Sequence, residues 1–265
     1  MARTIAVANQ KGGGGKTTTA VNLGAGLAMA GHRVLVVDID PQASATTGLG
    51  HPPSGPASTV YELLLGERSA RELIRRTKID GLDLIPSTRD LVGAEIELVT
   101  MPNREQRLWT ALRELRDDYA FILIDCPPSL SLLTLNALRA ADGLLVPLQA
   151  EYYALEGLTA LLDTVARVRE ALNPSLVIDG LVLTMFDGRT SLARQVQDEV
   201  RSHFGAQVFQ TVIPRNVRLS ESPSHGLPVL LYDPTSRGAM AYRALAQELL
   251  GLPVATDEAE DAIAS

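Results

Sequence analysis

Residues 9–19 read NQKGGGGKTTT, and they stand between a short aliphatic run, Thr4 to Ala8, and a longer amphipathic pattern that begins at Thr17. Four successive glycines, Gly12, Gly13, Gly14 and Gly15, permit a tight turn whose peptide N–H groups point into one concavity, a nest for an anion. The helix predicted from Thr17 brings the positive end of its dipole to the same place. Lys16 supplies a cation long enough to reach the outer phosphates of a nucleotide, and the Thr17 hydroxyl, with Thr18 beside it, is placed to sit on magnesium. A flexible glycine linker would not run directly into Lys-Thr-Thr and a helix. Strand, glycine-rich loop, lysine, hydroxyl and helix together predict a site for a nucleoside triphosphate with Mg2+.

Outward from this loop, short apolar runs alternate with longer helical patterns. Strands are predicted at Ile5–Ala8, Val34–Val37, Leu82–Ile85, Phe121–Ile124, Leu144–Pro147, Leu176–Leu183 and Val208–Ile213. Their near-continuous Val, Ile and Leu content is that of strands covered on both faces. Helices are predicted at Thr17–Ala30, Val60–Leu65, Ala94–Leu98, Glu105–Arg116, Leu132–Arg139, Leu155–Leu172, Leu192–Phe204 and Arg237–Leu250, with Gly31 and Gly251 as stops. The fold class is therefore α/β: a doubly wound, mostly parallel sheet with helices on both faces. The expectation is one domain over residues 1–251, with a loop at His51–Ser58 and an acidic, frayed tail at 252–265.

Two further strand ends carry carboxylates. The second strand runs into Asp38-Ile39-Asp40-Pro41-Gln42, and the fourth into Asp125-Cys126-Pro127-Pro128. Carboxylates at the C-terminal edge of a parallel sheet lie in the crevice where such sheets bind ligands. An apolar strand ending in Asp suits a group that holds the shell of a magnesium ion, usually through water. Cys126, with no histidine base nearby in sequence, reads as structural.

Composition excludes some classes. Hydrophobic residues are 46% and charged residues 21%, and no apolar run reaches the ~20 residues that cross a bilayer. One cysteine cannot form an intramolecular disulfide or a multi-cysteine metal site, and no leader pattern opens the chain, so a reduced, cytoplasmic protein is expected. The net charge of −7 repels nucleic acid overall and would confine any DNA contact to a local basic patch or to two patches aligned by a dimer.

Lys11-Gly-Gly-x-Gly-Lys16-Thr17 departs from the common G-x-x-x-x-G-K-[ST] pattern, which would need a glycine at Gln10. It resembles the deviant Walker A loop of the ParA/MinD family of ATPases, and D-x-D-P-Q at 38–42 and D-x-P-P at 125–128 resemble that family's two switches. Ile213-Pro214-Arg215-Asn216 resembles its adenine-side loop, and Gln149-Ala-Glu151-Tyr152-Tyr153 a segment near its dimer interface. The resemblance spans residues 3–250 and is closest to the small chromosomal ParA proteins, also called Soj. It implies ATP and ADP as ligands, hydrolysis of ATP, and a nucleotide-sandwich homodimer in which Lys11 reaches the partner's phosphates. It assigns water activation and a share of the metal site to Asp40, with support from Asp38, and base contacts to Pro214 and Asn216. It further implies non-specific double-stranded DNA binding through Arg189 and Arg218, with Arg194 and Arg215 as neighbouring candidates, localisation on the nucleoid, and release by a ParB-type centromere-binding partner. Gly14 stands where the family has valine, and Ala43-Ser44 where it has Gly-Asn.

Three other branches of the family fit less well. The acidic tail is not a basic membrane-targeting helix, cysteines for an iron–sulfur cluster are missing, and no helix-turn-helix precedes the first strand. The readings from other classes are a P-loop ligase of the dethiobiotin or cobyrinate synthase kind and a ParA-like scaffold that positions other cargo.

Overall fold

Alternation along the first strand sends Ile5 and Val7 to one face of a sheet and Ala6 and Ala8 to the other, and all four are buried. The computed structural model describes residues 1–52, 58–151 and 154–252. Seven strands form one sheet: β1 (Arg3–Val7), β2 (Val34–Asp38), β3 (Arg75–Arg76), β4 (Leu82–Ile85), β5 (Phe121–Asp125), β6 (Gly143–Gln149) and β7 (Val177–Thr184). Their order is β3-β4-β2-β5-β1-β6-β7. Every neighbouring pair is parallel except β3 with β4. The helices are α1 (Lys16–Met29), α2 (Ser44–Gly48), α3 (Val60–Leu65), α4 (Ala70–Leu73), α5 (Leu91–Leu98), α6 (Arg107–Leu112), α7 (Leu132–Ala140), α8 (Ala154–Ala171), α9 (Ser191–Phe204), α10 (Val217–Glu221), α11 (Val229–Tyr232) and α12 (Arg237–Leu249).

The sheet divides the core in two. Val34, Val36 and Leu84 pack with α1, α2, α11 and α12 on one face, and Leu35, Val37 and Ile85 pack with α3 to α9 on the other. This is the doubly wound arrangement that the alternating pattern predicts. Helix α1 lies close against the sheet because Gly24 faces it: a β-carbon there would stand 3.1 Å from Val36. Gly26 does the same toward α12, where a β-carbon would meet Ala246 at 3.0 Å. Each glycine costs the helix about 1 kcal/mol of propensity, and the close packing it allows fixes the helix that carries the phosphate loop at its N-terminus.

One predicted strand is absent. Val208–Ile213 forms no ladder with β7: it has an isolated bridge between Val208 and Leu181, and the amides of Phe209 and Ile213 donate to Leu181 and Leu183. Between those contacts the amides of Gln210 and Thr211 turn to the carboxylate of Glu248, at 2.6 and 2.9 Å. A side chain from α12 thus takes the hydrogen bonds that a sheet ladder would need. The sequence reading also missed β3, whose two arginines carry no apolar signal. It merged α6 with the 3-10 turns Arg104–Gln106 and Arg113–Leu115 into a single helix. The middle of the predicted loop at His51–Ser58 and the tail beyond Leu252 lie outside the described residues.

Candidate nucleotide site

β1 ends between β5 and β6, and the chain leaves the C-terminal edge of the sheet at the point where strand order diverges to either side, where open α/β sheets place ligands. Gly13 and Gly15 adopt positive φ angles of 74° and 90°, which only glycine takes without strain. Gly15 caps α1 with no side-chain hydrogen bond, so the first-turn amides of the helix are directed at the loop's cavity. That cavity is about 490 Å³ and is lined by Gly12 to Thr18 together with Asp40 and Pro128. Lys16 is buried and folds back on its own loop, its Nζ donating to the Lys11 carbonyl at 2.9 Å. Burial lowers its pKa, and the charge of Asp125 opposes that fall. Asn9 anchors the loop's entry, donating to the Pro147 carbonyl at 2.7 Å and accepting from the Lys11 amide at 3.3 Å.

The two strand-end carboxylates are register partners: Asp38 of β2 sits opposite Asp125 of β5. Asp38 is fully buried but internally satisfied, accepting from the Thr46 amide (2.8 Å), the Thr46 hydroxyl (2.7 Å) and the Asp40 amide (3.1 Å). It therefore ties α2 to the sheet. Asp125 is equally buried, and neither of its oxygens has a partner in ordinary hydrogen-bond geometry. Burial and then the charge of Asp38 push its pKa well up, while the nearby Thr17 hydroxyl and Lys16 offset part of the rise. An orphaned buried carboxylate beside a threonine hydroxyl suits a cation that brings its own waters. Among the described residues no cluster of three or more His, Cys, Asp and Glu side chains could cage a metal alone. A magnesium ion here would share its ligands with the nucleotide. Cys126 is buried with its thiol pKa pushed up by burial, as a structural cysteine should be.

Burial also raises the Asp38 pKa, from 3.8 to about 6, against the three hydrogen bonds that favour its charge. The folded state then binds a proton more tightly than the unfolded state. Stability falls as pH rises through the window between those two values, and the raised pKa of Asp125 adds a fall of the same sign. Urea unfolding of the nucleotide-free protein between pH 4 and 6.5 should show that fall, and Asp38→Asn should make it shallower, leaving the part that burial of Asp125 contributes. An unchanged slope in Asp38→Asn would assign the titration elsewhere.

Pro214, Arg215 and Asn216 line a second cavity of about 290 Å³ that shares Gly15 and Thr18 with the first. The Asn216 Oδ1 accepts from the Arg218 amide at 2.8 Å and so caps α10. Thr184 and Met185, which the sequence reading passed over, belong to the same wall. Met185 has φ of 50°, a strained angle for a non-glycine residue, and it faces both cavities. Their position at the C-terminal end of β7 was the signal that could have found them. Ala43 is strained too, with φ of 52° at the start of α2, where a glycine would sit without cost.

Lys11 does not join Lys16. Its Nζ lies 2.6 Å from Glu151 Oε2, and Gln149 donates to the other oxygen of that carboxylate. Tyr152 and Tyr153 lie outside the described residues. Of the four candidate DNA-contacting arginines, Arg189 and Arg215 line one open groove of about 900 Å³, together with Arg237. Arg194 and Arg218 lie outside its lining. Arg189 is held by Asp187 at 2.7 Å, and Arg218 by Glu221 and Asp233 at 2.8 and 3.1 Å.

A parallel sheet that delivers a glycine nest, a buried lysine and two paired carboxylates to one edge defines a P-loop nucleoside-triphosphatase. Comparisons with known proteins narrow the class. A family model described as an AAA domain matches residues 2–178. The Soj sporulation initiation inhibitor protein of Bacillus subtilis is 55% identical over 249 residues, covering 94% of this chain and 98% of that protein. The chromosome-partitioning ATPase Soj of Thermus thermophilus is 56% identical over 250 residues, covering 94% of this chain and 95% of that protein. Among solved structures, the cobyrinic acid a,c-diamide synthase of Mycobacterium smegmatis with a bound ATP analogue and magnesium superposes with a TM-score of 0.84 at 39% identity, covering 97% of this chain and all of that one. The chain belongs to the ParA/Soj family of chromosome-partitioning ATPases.

Proposed function

We propose that this ATPase is a nucleotide-switched DNA-segregation protein that binds ATP with Mg2+ at the loop Lys11–Thr18, forms a homodimer around it, coats DNA non-specifically, and is released when a ParB-type partner stimulates hydrolysis. The observation that carries the reading is the division between the two loop lysines. Lys16 is buried in its own loop, whereas Lys11 is about one-third exposed and turned outward to Glu151. A cation held off its own phosphates is free to serve a second subunit's, where it would act as an arginine finger does in trans. Thr17 and Asp125 would hold the metal with Asp40 beside them, and Pro214 with the amide of Asn216 would take the base. Bound magnesium would neutralise charge developing on the phosphates.

The groove with Arg189, Arg215 and Arg237 is the surface that fits a phosphodiester backbone on a chain of net charge −7. Localisation on the nucleoid would follow from that binding; among the described residues no helix is long and apolar enough to cross a membrane. Binding to random-sequence duplex DNA should appear with ATP and not with ADP, and it should weaken steeply as salt rises. Arg189→Glu, in the groove but in neither nucleotide cavity, should weaken it at least tenfold while leaving ATP affinity within a few fold. DNA binding that is indifferent to nucleotide, or absent in every state, would return the choice to a scaffold or to a ligase of the kind named for the Mycobacterium smegmatis structure.

A further inference from the structure

The hydroxyl of Thr184, the last residue of β7, donates a 2.9 Å hydrogen bond to the carbonyl oxygen of Gly14. Both residues are buried, and the bond joins segments 170 positions apart in sequence. The side chain also packs beneath the next residue, since a β-carbon on Gly15 would lie 3.4 Å from the Thr184 methyl. In a trans peptide the carbonyl of one residue and the N–H of the next point in opposite directions. Drawing the Gly14 oxygen toward β7 therefore turns the Gly15 amide away from β7, and Gly15 is part of the lining of the phosphate-loop cavity. Glycine at position 14 makes the restraint matter, because without a β-carbon its ψ angle leaves that peptide plane free to rotate.

We infer that Thr184 is a positioning residue for the phosphate loop: its hydroxyl sets the Gly14–Gly15 peptide so that the Gly15 amide donates to a nucleotide phosphate. The inference rests on reading Lys11–Thr18 as the phosphate site. The oriented amide is prepared before the nucleotide arrives, so its effect falls on binding more than on the chemical step.

The test is ATP affinity and steady-state hydrolysis of Thr184→Val, Thr184→Ser and Gly14→Ala, alone and combined. Thr184→Val keeps the shape and removes the donor, leaving a buried carbonyl unpaired, and should raise Kd and KM for ATP about tenfold with kcat changed less than about threefold. Thr184→Ser keeps the hydroxyl and should recover most of that loss. Thr184→Ala replaces the valine variant if that one does not fold. A β-carbon at position 14 would stand 3.4 Å from the Lys11 carbonyl and 3.5 Å from Asn9 Nδ2, ordinary contact distances. Gly14→Ala should therefore restrain the same peptide independently, and in its background Thr184→Val should cost about threefold or less. Parent-like ATP affinity in Thr184→Val, or an equal loss in both backgrounds, would overturn the inference. Lys16→Ala separates it from its premise: normal ATP binding by that variant would remove the phosphate loop itself, whereas its failure beside a normal Thr184→Val would remove only the role of Thr184.

Discussion

Lys16→Ala is expected to lose ATP binding by a hundredfold or more, whereas Lys11→Ala binds ATP almost as the parent does but no longer dimerises around it. The two lysines lie five positions apart on one loop, and the structure gives them different surroundings. Lys16 is buried, its Nζ donating to the Lys11 carbonyl, with the charge of Asp125 among those that favour its protonated form. Removing a desolvated cation from a phosphate contact costs about 2–5 kcal/mol, and every later step fails with it. Lys11 is partly exposed and its ammonium is paired with Glu151 across the mouth of the loop. An exposed pair of this kind contributes at most about 1 kcal/mol, so Lys11 can leave Glu151 cheaply when a stronger anion is offered. The phosphates of a partner's nucleotide are such an anion. Lys11→Ala should then eliminate the ATP-dependent increase in mass seen by light scattering and lower hydrolysis about a thousandfold. A fluorescent ATP analogue should still bind the monomer within about threefold of the parent. Dimerisation at the parent's ATP concentration would remove Lys11 from the interface, and parent-like ATP binding by Lys16→Ala would remove the loop from the site.

The loop was readable in sequence because its chemistry is local. A strand, four glycines, a lysine and a threonine lie within 15 residues, and each has one physical reason to stand there. The strand-end aspartates were readable for the same cause, since an apolar run that ends in Asp puts the carboxylate at the sheet edge whatever the rest of the chain does. What could not be read depends on partners far apart in sequence. The register that sets Asp38 against Asp125 comes from β2 and β5 being neighbours, which leaves one carboxylate satisfied by Thr46 and the other orphaned. Thr184 meets Gly14 only because β7 lies on the same side of β1 as β6. The failure at Val208–Ile213 has the same origin: its apolar pattern is that of a strand, but Glu248 captures the amides in its middle. The arginines are legible only as single residues, and it takes the fold to put Arg189 and Arg215 in the lining of one groove with Arg237, with Arg194 and Arg218 outside that lining.

Asp40→Ala should stop hydrolysis while leaving ATP bound, because the structure holds the backbone of Asp40 independently of its carboxylate. The Asp40 amide donates to Asp38, and its carbonyl accepts from the hydroxyl of Ser87 at 2.8 Å. Ser87 in turn donates its amide to Thr46, the residue that satisfies Asp38. Truncating the side chain therefore removes one hydrogen bond, to the Gln42 amide at 2.9 Å, and otherwise leaves the turn into α2 in place. The carboxylate borders the cavity of the phosphate loop, and Asp38, engaged by three donors, cannot replace it. A positioned carboxylate that takes a proton from water contributes about 10²–10⁴ in rate. Hydrolysis should fall by at least a hundredfold with ATP affinity within a few fold of the parent, and the variant should accumulate as a dimer that stays on DNA after the parent has been released. Asp40→Asn decides between chemistry and support, since it keeps an acceptor for Gln42 and loses the base. Equal loss in Asn and Ala variants assigns the effect to proton transfer. Recovery of hydrolysis in Asp40→Asn would instead make Asp40 a support for α2, whose strained entry at Ala43 needs one.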